Sequence, residues 1–186
     1  MERREFIPFL GSKGSGKSSL IKALFPQLEV DYSEPRFYRD YFVGEGRYVR
    51  ELSGSEETIR FLLPAMSKWR VSKAVVVLDL SKKESLSWAV GTMPLLGWEY
   101  LLVGNKADLP ELEVKVEDVR SLAERRGAKL FVVSALTGEG TEVLRRVLVG
   151  EIPLEEVPKP PAPPRVERVP AVAIRRDYLP SPLSAP

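Results

Sequence analysis

Short apolar runs alternate with amphipathic segments along most of the chain. The runs at 74–78, 100–103 and 130–133 are rich in branched apolar side chains at consecutive positions, which is typical of strands covered on both faces. Apolar residues recur at helical spacing in 116–126 and 141–149. Strands that alternate with helices predict an α/β fold of three layers, with a mostly parallel sheet between helices.

Two early segments modify this picture. Residues 37–43 and 47–52 flank Gly44-Glu45-Gly46, and this arrangement predicts an antiparallel hairpin at one edge of the sheet. The apolar stretch 6–10 predicts the first strand. We expect Pro8 near the start of that strand, because proline has no N–H to donate to a neighbouring strand.

The composition changes near residue 150. Ten of the sixteen prolines lie in the last 36 residues, so we expect one domain over 1–150 and an extended, proline-rich tail over 151–186. Residues 160–165, PPAPPR, fit a polyproline ligand pattern. A plain extended spacer is the alternative for the same residues.

The composition also excludes several chemistries. The chain has no cysteine and no histidine, which removes disulfides, thiol nucleophiles and histidine-based triads. A bound metal must therefore be held by oxygen atoms, as Mg²⁺ and Ca²⁺ are. The net charge of +2 gives no reason to expect nucleic acid as a partner. No membrane span, signal peptide or lipid-anchor signal is apparent, so we expect a cytoplasmic protein without a lipid anchor.

Residues 11–18, GSKGSGKS, match the phosphate-binding pattern G-x-x-x-x-G-K-[ST] at every position. The match follows an apolar stretch and precedes a helix-like segment at 18–25. Backbone N–H groups of such a loop cradle phosphate oxygens. The expected nucleotide contacts are Gly11, Ser12, Lys13, Gly14, Ser15, Gly16, Lys17, Ser18 and Ser19. A glycine-rich turn without a ligand is the alternative.

Two of these residues have more specific expected roles. Lys17 would bridge the β- and γ-phosphates, and the Ser18 hydroxyl would bind Mg²⁺. The loop predicts a bound nucleoside triphosphate but leaves the base undetermined.

A candidate base-reading motif follows the strand at 100–103. The Asp108 carboxylate can accept two hydrogen bonds from N1–H and the exocyclic amine of guanine, a pair that adenine does not offer. Asn105 is expected to brace the loop or contact N7 of the base, and the Lys106 stem to lie over the base. Backbone N–H groups of Ser134-Ala135-Leu136 can meet the guanine carbonyl.

With GSKGSGKSS at 11–19, NKAD at 105–108 and SALTGEG at 134–140, the chain resembles the small GTPases of the Ras and Arf superfamily. The motifs occur in the order of that family, and the resemblance covers about residues 5–150. It implies a P-loop GTPase fold, GTP or GDP with Mg²⁺ as ligands, and GTP hydrolysis. It also implies effector and regulatory proteins that contact switch segments near 31–43 and 54–69.

The second switch motif departs from the family pattern of Asp-x-x-Gly followed by glutamine. The corresponding residues are Glu51-Leu52-Ser53-Gly54-Ser55. The resemblance implies that Glu51 contacts a magnesium-bound water, that the Gly54 N–H contacts the γ-phosphate, and that Ser55 replaces the glutamine that orients the attacking water. A simple strand end and turn is the alternative.

The first switch also departs, because no threonine occurs between the phosphate loop and Glu51. Ser33 carries the same ligating atom and is the candidate magnesium ligand, with a solvated loop residue as the alternative. Lys13 is a candidate for neutralising charge in the transition state, with a solvent-facing side chain as the alternative. With these catalytic candidates (Lys17, Gly54, Ser55 and Lys13), hydrolysis is expected to be slow or partner-dependent.

Two other functions fit parts of the sequence. One is a pseudo-GTPase, a scaffold that binds guanine nucleotide without significant hydrolysis. The other is a P-loop kinase, against which Asp108 and the motif at 134–136 argue.

Overall fold

A computed structural model describes residues 4–157. Within them, six strands form one sheet in the spatial order β2-β3-β1-β4-β5-β6. Neighbouring strands are parallel except β2 and β3, which form an antiparallel pair at one edge. The strands are β1 (Glu5–Leu10), β2 (Tyr38–Gly44), β3 (Arg47–Leu52), β4 (Ala74–Asp79), β5 (Tyr100–Asn105) and β6 (Lys129–Val132). The predicted α/β class and edge hairpin are confirmed.

Helices cover both faces of the sheet. The buried side chains of α1 and α5 share one core with the sheet, and those of α2, α3 and α4 share the other. β4 shows why its first five positions are apolar, since Val75 and Val77 enter the first core while Val76 and Leu78 enter the second. The helices are α1 (Lys17–Leu24), α2 (Glu56–Met66), α3 (Lys83–Thr92), α4 (Val116–Arg126) and α5 (Thr141–Leu148).

The helix α3 was not predicted from the sequence pattern. Its buried side chains are Ser85, Trp88, Ala89 and Thr92, of which only Trp88 is large and apolar. A helix that buries small and polar groups lacks the continuous apolar stripe by which such elements are found.

The expected position of Pro8 is wrong, because Pro8 is the fourth of the six residues in β1. On the side that faces β4, an isolated bridge pairs Phe6 with Val71, and regular pairing resumes only at Phe9 opposite Val75. Alternate residues of a strand direct their N–H groups to the same side. Because the Phe6 N–H donates toward this side, the Pro8 nitrogen faces the interruption, where no donor is needed.

The first residues of the predicted tail pack on the domain. Val157 is buried and Ile152 and Leu154 are partly buried against the core beneath α1 and α5, and Lys129 Nζ donates to the Val157 carbonyl at 2.6 Å. The remainder of the tail, including the pattern at 160–165, lies outside the described residues. No helix in the described part of the chain has both the length and the apolar character that crossing a bilayer requires.

A buried arginine anchors the edge hairpin to the rest of the sheet. Arg50 is 6% exposed, and its guanidinium lies 3.9, 4.1 and 4.3 Å from the ring centroids of Phe6, Tyr38 and Trp69. Its Nε and Nη2 atoms donate to the two carboxylate oxygens of Asp40 at 2.7 and 2.6 Å. Packing and a paired charge therefore hold β2 against β3.

We predict that Arg50→Ala lowers the free energy of unfolding by about 2–4 kcal/mol, because it removes the ring contacts and leaves Asp40 without its partner. The control is Arg36→Ala. Arg36 lies over the Phe37 ring but is exposed, so its loss should cost less than about 1 kcal/mol. Urea unfolding followed by circular dichroism measures both values, and equal losses for the two variants would contradict the anchoring role of Arg50.

Candidate functional site

The three sequence motifs meet at the carboxyl edge of the sheet. Gly11 follows β1, Asn105 ends β5, and Ser134 lies two residues beyond the end of β6. Asp79, which the sequence analysis did not select, ends the intervening strand β4. The carboxyl edge of an open parallel sheet is where ligands of such folds bind, so the shared position makes these loops one candidate site.

The phosphate loop is a tight turn that leads into α1. Gly14 and Gly16 have φ angles of 77° and 91°, in the left-handed region that favours glycine. A Cβ atom on Gly16 would lie 2.4 Å from Asn105 Nδ2, so a larger residue would also displace that side chain. Ser15 is fully buried and donates its N–H to the Ser12 carbonyl at 3.1 Å. This geometry leaves the positive end of α1 directed at the site.

Lys17 is folded into the loop. Its side chain is buried, and Nζ donates to the carbonyls of Gly11 and Ser12 at 3.0 and 3.2 Å. Burial lowers the pKa of Lys17, while the nearby carboxylates of Glu34 and Glu51 act in the opposite direction. An ammonium held among backbone carbonyls and carboxylates has the position and charge to bind an anionic ligand.

Asn105 connects the phosphate loop to the loop after β6. Its Nδ2 donates to the Ser15 carbonyl at 3.1 Å, and its Oδ1 accepts from the Ala135 N–H at 3.0 Å. The side chain is 1% exposed. The Ala135 N–H, which was expected to meet a guanine carbonyl, is therefore engaged by Asn105 in this structure.

Lys106 spans from the base-reading motif to the phosphate loop. Its Nζ donates to the Gly14 carbonyl at 3.0 Å and to Asp79 Oδ2 at 2.6 Å. Burial alone would raise the pKa of Asp79, but hydrogen bonds from Lys106 and Ser81 outweigh it and leave the pKa lowered. The paired carboxylate holds the Lys106 stem across the entrance of the site.

Asp108 is oriented by Ser134, whose hydroxyl donates to Asp108 Oδ1 at 2.6 Å.

The loop after β5 and the loop after β6 both line a cavity of about 430 Å³, which we call the base-side cavity. Leu136 is 84% exposed and forms part of its outer wall. The lining of the base-side cavity also includes Gly16, Ser19, Tyr32, Asn105, Lys106, Asp108 and Ala135.

A second cavity of about 260 Å³, the phosphate-side cavity, lies beside it and includes Lys17, Ser18, Glu34 and Glu51 in its lining. The Ser18 hydroxyl donates to Glu51 Oε1 at 2.6 Å, and the Tyr41 hydroxyl donates to Glu51 Oε2 at 3.3 Å. Burial raises the pKa of Glu51, against opposing effects led by the Ser18 hydrogen bond and the Lys17 charge.

Two adjacent oxygen atoms, Ser18 Oγ and Glu51 Oε1, fit the preference of Mg²⁺ for oxygen ligands. Residues 4–157 contain no group of three or more acidic side chains arranged to hold a metal ion. Mg²⁺ at this position would therefore take its remaining ligands from phosphate and water.

Gly54 packs directly on the phosphate loop. A Cβ atom on Gly54 would lie 2.3 Å from the Lys13 backbone nitrogen, so only glycine fits there. The indole N–H of Trp88 donates to the Gly54 carbonyl at 3.0 Å. Glu34 Oε1 accepts from the Gly54 N–H at 2.5 Å. No motif in the sequence marks Glu34 for this contact.

Three predicted residues do not join this cluster. The Ser33 hydroxyl accepts from Arg39 Nη2 at 3.0 Å on the exposed side of its loop, and not in the phosphate-side cavity. The Ser55 hydroxyl accepts from the Thr58 N–H at 3.4 Å and serves as the N-cap of α2. Lys13 is exposed. In this structure the Ser33 hydroxyl is thus engaged by Arg39 and the Ser55 hydroxyl caps α2, while Lys13 is exposed.

No known protein-family model matches the chain, and no curated protein has significant sequence similarity to it. The assignment of a function therefore depends on the motifs and on the geometry described above.

We predict that Asn105→Ala lowers the free energy of unfolding of the nucleotide-free protein by about 1–3 kcal/mol, because the buried Ser15 carbonyl and the partly buried Ala135 N–H lose their partner. Thr137→Ala is the control. Thr137 accepts from the Glu139 N–H but is exposed, so its loss should cost less than about 1 kcal/mol. Chemical denaturation measures both, and a loss for Asn105→Ala no larger than for the control would contradict the bracing role.

Proposed function

We propose that this protein is a guanine-nucleotide-binding molecular switch of the small GTPase kind, which hydrolyses GTP slowly or with the help of a partner. The observation that carries the proposal is the Asn105 side chain. It joins a phosphate-binding loop to a base-reading loop across one continuous edge of the sheet. A nucleotide needs both loops at a fixed separation, and Asn105 contacts both.

The base specificity is assigned to Asp108. Its Oδ1 atom accepts from Ser134, which orients the carboxylate in the lining of the base-side cavity. A carboxylate can accept hydrogen bonds from the N1–H and the amine of guanine. The N1 atom of adenine is itself an acceptor, so it repels the carboxylate. This difference favours guanine nucleotides over adenine nucleotides.

The phosphates are assigned to the loop 11–18. Lys17 lies beside the cavity that would receive them, and the N-terminus of α1 adds favourable partial charge. Ser18 and Glu51 would hold Mg²⁺, Glu51 directly or through a water. When bound, Mg²⁺ neutralises charge on the β- and γ-phosphates.

The proposed switch segments, 31–43 and 54–69, contact each other on the surface. The Phe37 and Phe61 rings are stacked with their centroids 5.7 Å apart. Phe61 is 70% exposed. We assign this exposed apolar pair, which spans both segments, as a contact for effector and regulatory proteins, because its geometry changes if either segment moves.

A second candidate function is a pseudo-GTPase scaffold. The observation that favours it is the N-cap role of Ser55, which uses the side chain at the expected water-orienting position for helix capping. Binding of guanine nucleotide is common to both candidates, so only hydrolysis separates them.

For base specificity, we predict that the wild-type protein binds GDP and discriminates against ADP, and that Asp108→Asn weakens GDP binding by at least about tenfold. Xanthine has a carbonyl where guanine has its amine, and an asparagine amide can donate to that carbonyl. Asp108→Asn should therefore bind xanthosine diphosphate better than GDP. Calorimetry with the three nucleotides measures this, and Glu111→Gln, an exposed acidic residue nearby in the chain, is the control. Equal affinity for ADP and GDP would contradict the assignment.

For hydrolysis, we predict single-turnover rate constants below about 10⁻³ s⁻¹ with Mg²⁺, because the chain lacks the water-orienting glutamine. Lys13→Ala should leave this rate unchanged, since Lys13 is exposed. Lys17→Ala, at saturating GTP, should reduce it to the spontaneous background. Chromatographic separation of GTP and GDP over time measures the rates. If the wild-type protein binds GTP but hydrolyses it no faster than the spontaneous background, the result would instead establish the scaffold function.

A further inference from the structure

The Gly54 N–H, the donor expected to meet the γ-phosphate, already has an anionic partner within the chain. Glu34 Oε1 accepts from it at 2.5 Å. The same carboxylate acts electrostatically on Lys17, the second group expected to meet the terminal phosphates. One carboxylate thus engages both of the chain's groups that would recognise the third phosphate.

We propose that Glu34 is a specificity-determining residue that competes with the γ-phosphate for the Gly54 N–H, and so biases this protein toward nucleoside diphosphates. The proposal rests on the proposed function, because it concerns the same nucleotide site. A diphosphate has no group that requires the Gly54 N–H. A triphosphate must displace the Glu34 carboxylate, and the two negative charges repel each other at that position.

The loop that carries Glu34 is held in a defined conformation. The Ser33 N–H donates to Asp31 Oδ1 at 2.8 Å, and Arg39 donates to the carbonyls of Asp31 and Ser33 at 2.8 and 3.2 Å. Pro35, which follows Glu34, is buried. These contacts direct Glu34 toward the phosphate-side cavity while Ser33 faces Arg39.

The contact between Glu34 and the Gly54 N–H can also open. Residues 31–34 are exposed, and the hydrogen bonds that join Arg39 to Asp31 and Ser33 lie at the surface. Such segments open at low free energy compared with the core. Gly54, in contrast, is fixed from both sides, by the close approach of the Lys13 backbone and by the Trp88 indole. The γ-phosphate would therefore displace the Glu34 loop and leave Gly54 in place.

The test compares the affinities for GDP and for a non-hydrolysable GTP analogue, both with Mg²⁺, by calorimetry. Glu34→Ala should increase the preference for the analogue relative to GDP by about tenfold, the usual effect of a hydrogen bond to a charged group. Glu34→Gln keeps an acceptor but loses the charge, so its increase should be smaller. Glu29→Gln removes an equal charge from the same exposed connection and should leave the preference unchanged.

A second readout does not depend on affinity. Amide hydrogen exchange of the segment around Gly54 should be faster in GDP-bound Glu34→Ala than in the GDP-bound wild type, and the GTP analogue should restore the protection. An unchanged or lower preference for the analogue in Glu34→Ala, with GDP binding intact, would overturn the competition and leave the proposed function standing. Failure of the wild type to bind either nucleotide would overturn both.

Discussion

The site depends on the two hydrogen bonds of one buried amide. Asn105 donates to the carbonyl of Ser15 and accepts from the N–H of Ala135, and a carboxylate could not make the first bond nor an amine the second. Because β5 ends at Asn105 and pairs with both β4 and β6, the sheet determines the spacing between the two loops. The phosphate loop also needs glycine at position 16, since any Cβ there would collide with this amide.

The parts of the fold that follow from the sequence are those with a strong local pattern. The strand β4, which is apolar over 74–78, and the helix α4 lie where the pattern predicted them, because burial on both faces or on one stripe determines their composition. The helix α3 was missed for the same physical reason, since its inner face is mostly small or polar. Yet α3 matters to the site, because Ser85 accepts from the Ser12 hydroxyl and Trp88 donates to Gly54.

The residues of the predicted site also divide into those that a strong local pattern marks and those that it does not. The phosphate loop and the residues 105–108 have backbone or side-chain roles that only certain residue types can fill, so the motif predicts the position. Ser33, Ser55 and Glu34 lie in loops where several residues can meet the same requirement, and the hydrogen bonds decide the roles. The Ser33 hydroxyl accepts from Arg39, and the Ser55 hydroxyl accepts from the Thr58 N–H at the start of α2. Contacts between distant segments, such as Glu34 with Gly54, leave no periodic signal in the sequence.

The arrangement of charge at the phosphate-side cavity explains why a buried lysine is tolerated there. An ammonium taken out of water is unfavourable unless it is paired. Here Lys17 has two backbone carbonyls and the charges of Glu34 and Glu51 as partial compensation. Glu51 is itself deeply buried and is bound by Ser18 and Tyr41, so it cannot leave easily. Glu34 is on an exposed loop and can. Of the two carboxylates, Glu34 is therefore the one that a phosphate could displace, and Glu51 is the one that would stay to complement the Lys17 cation.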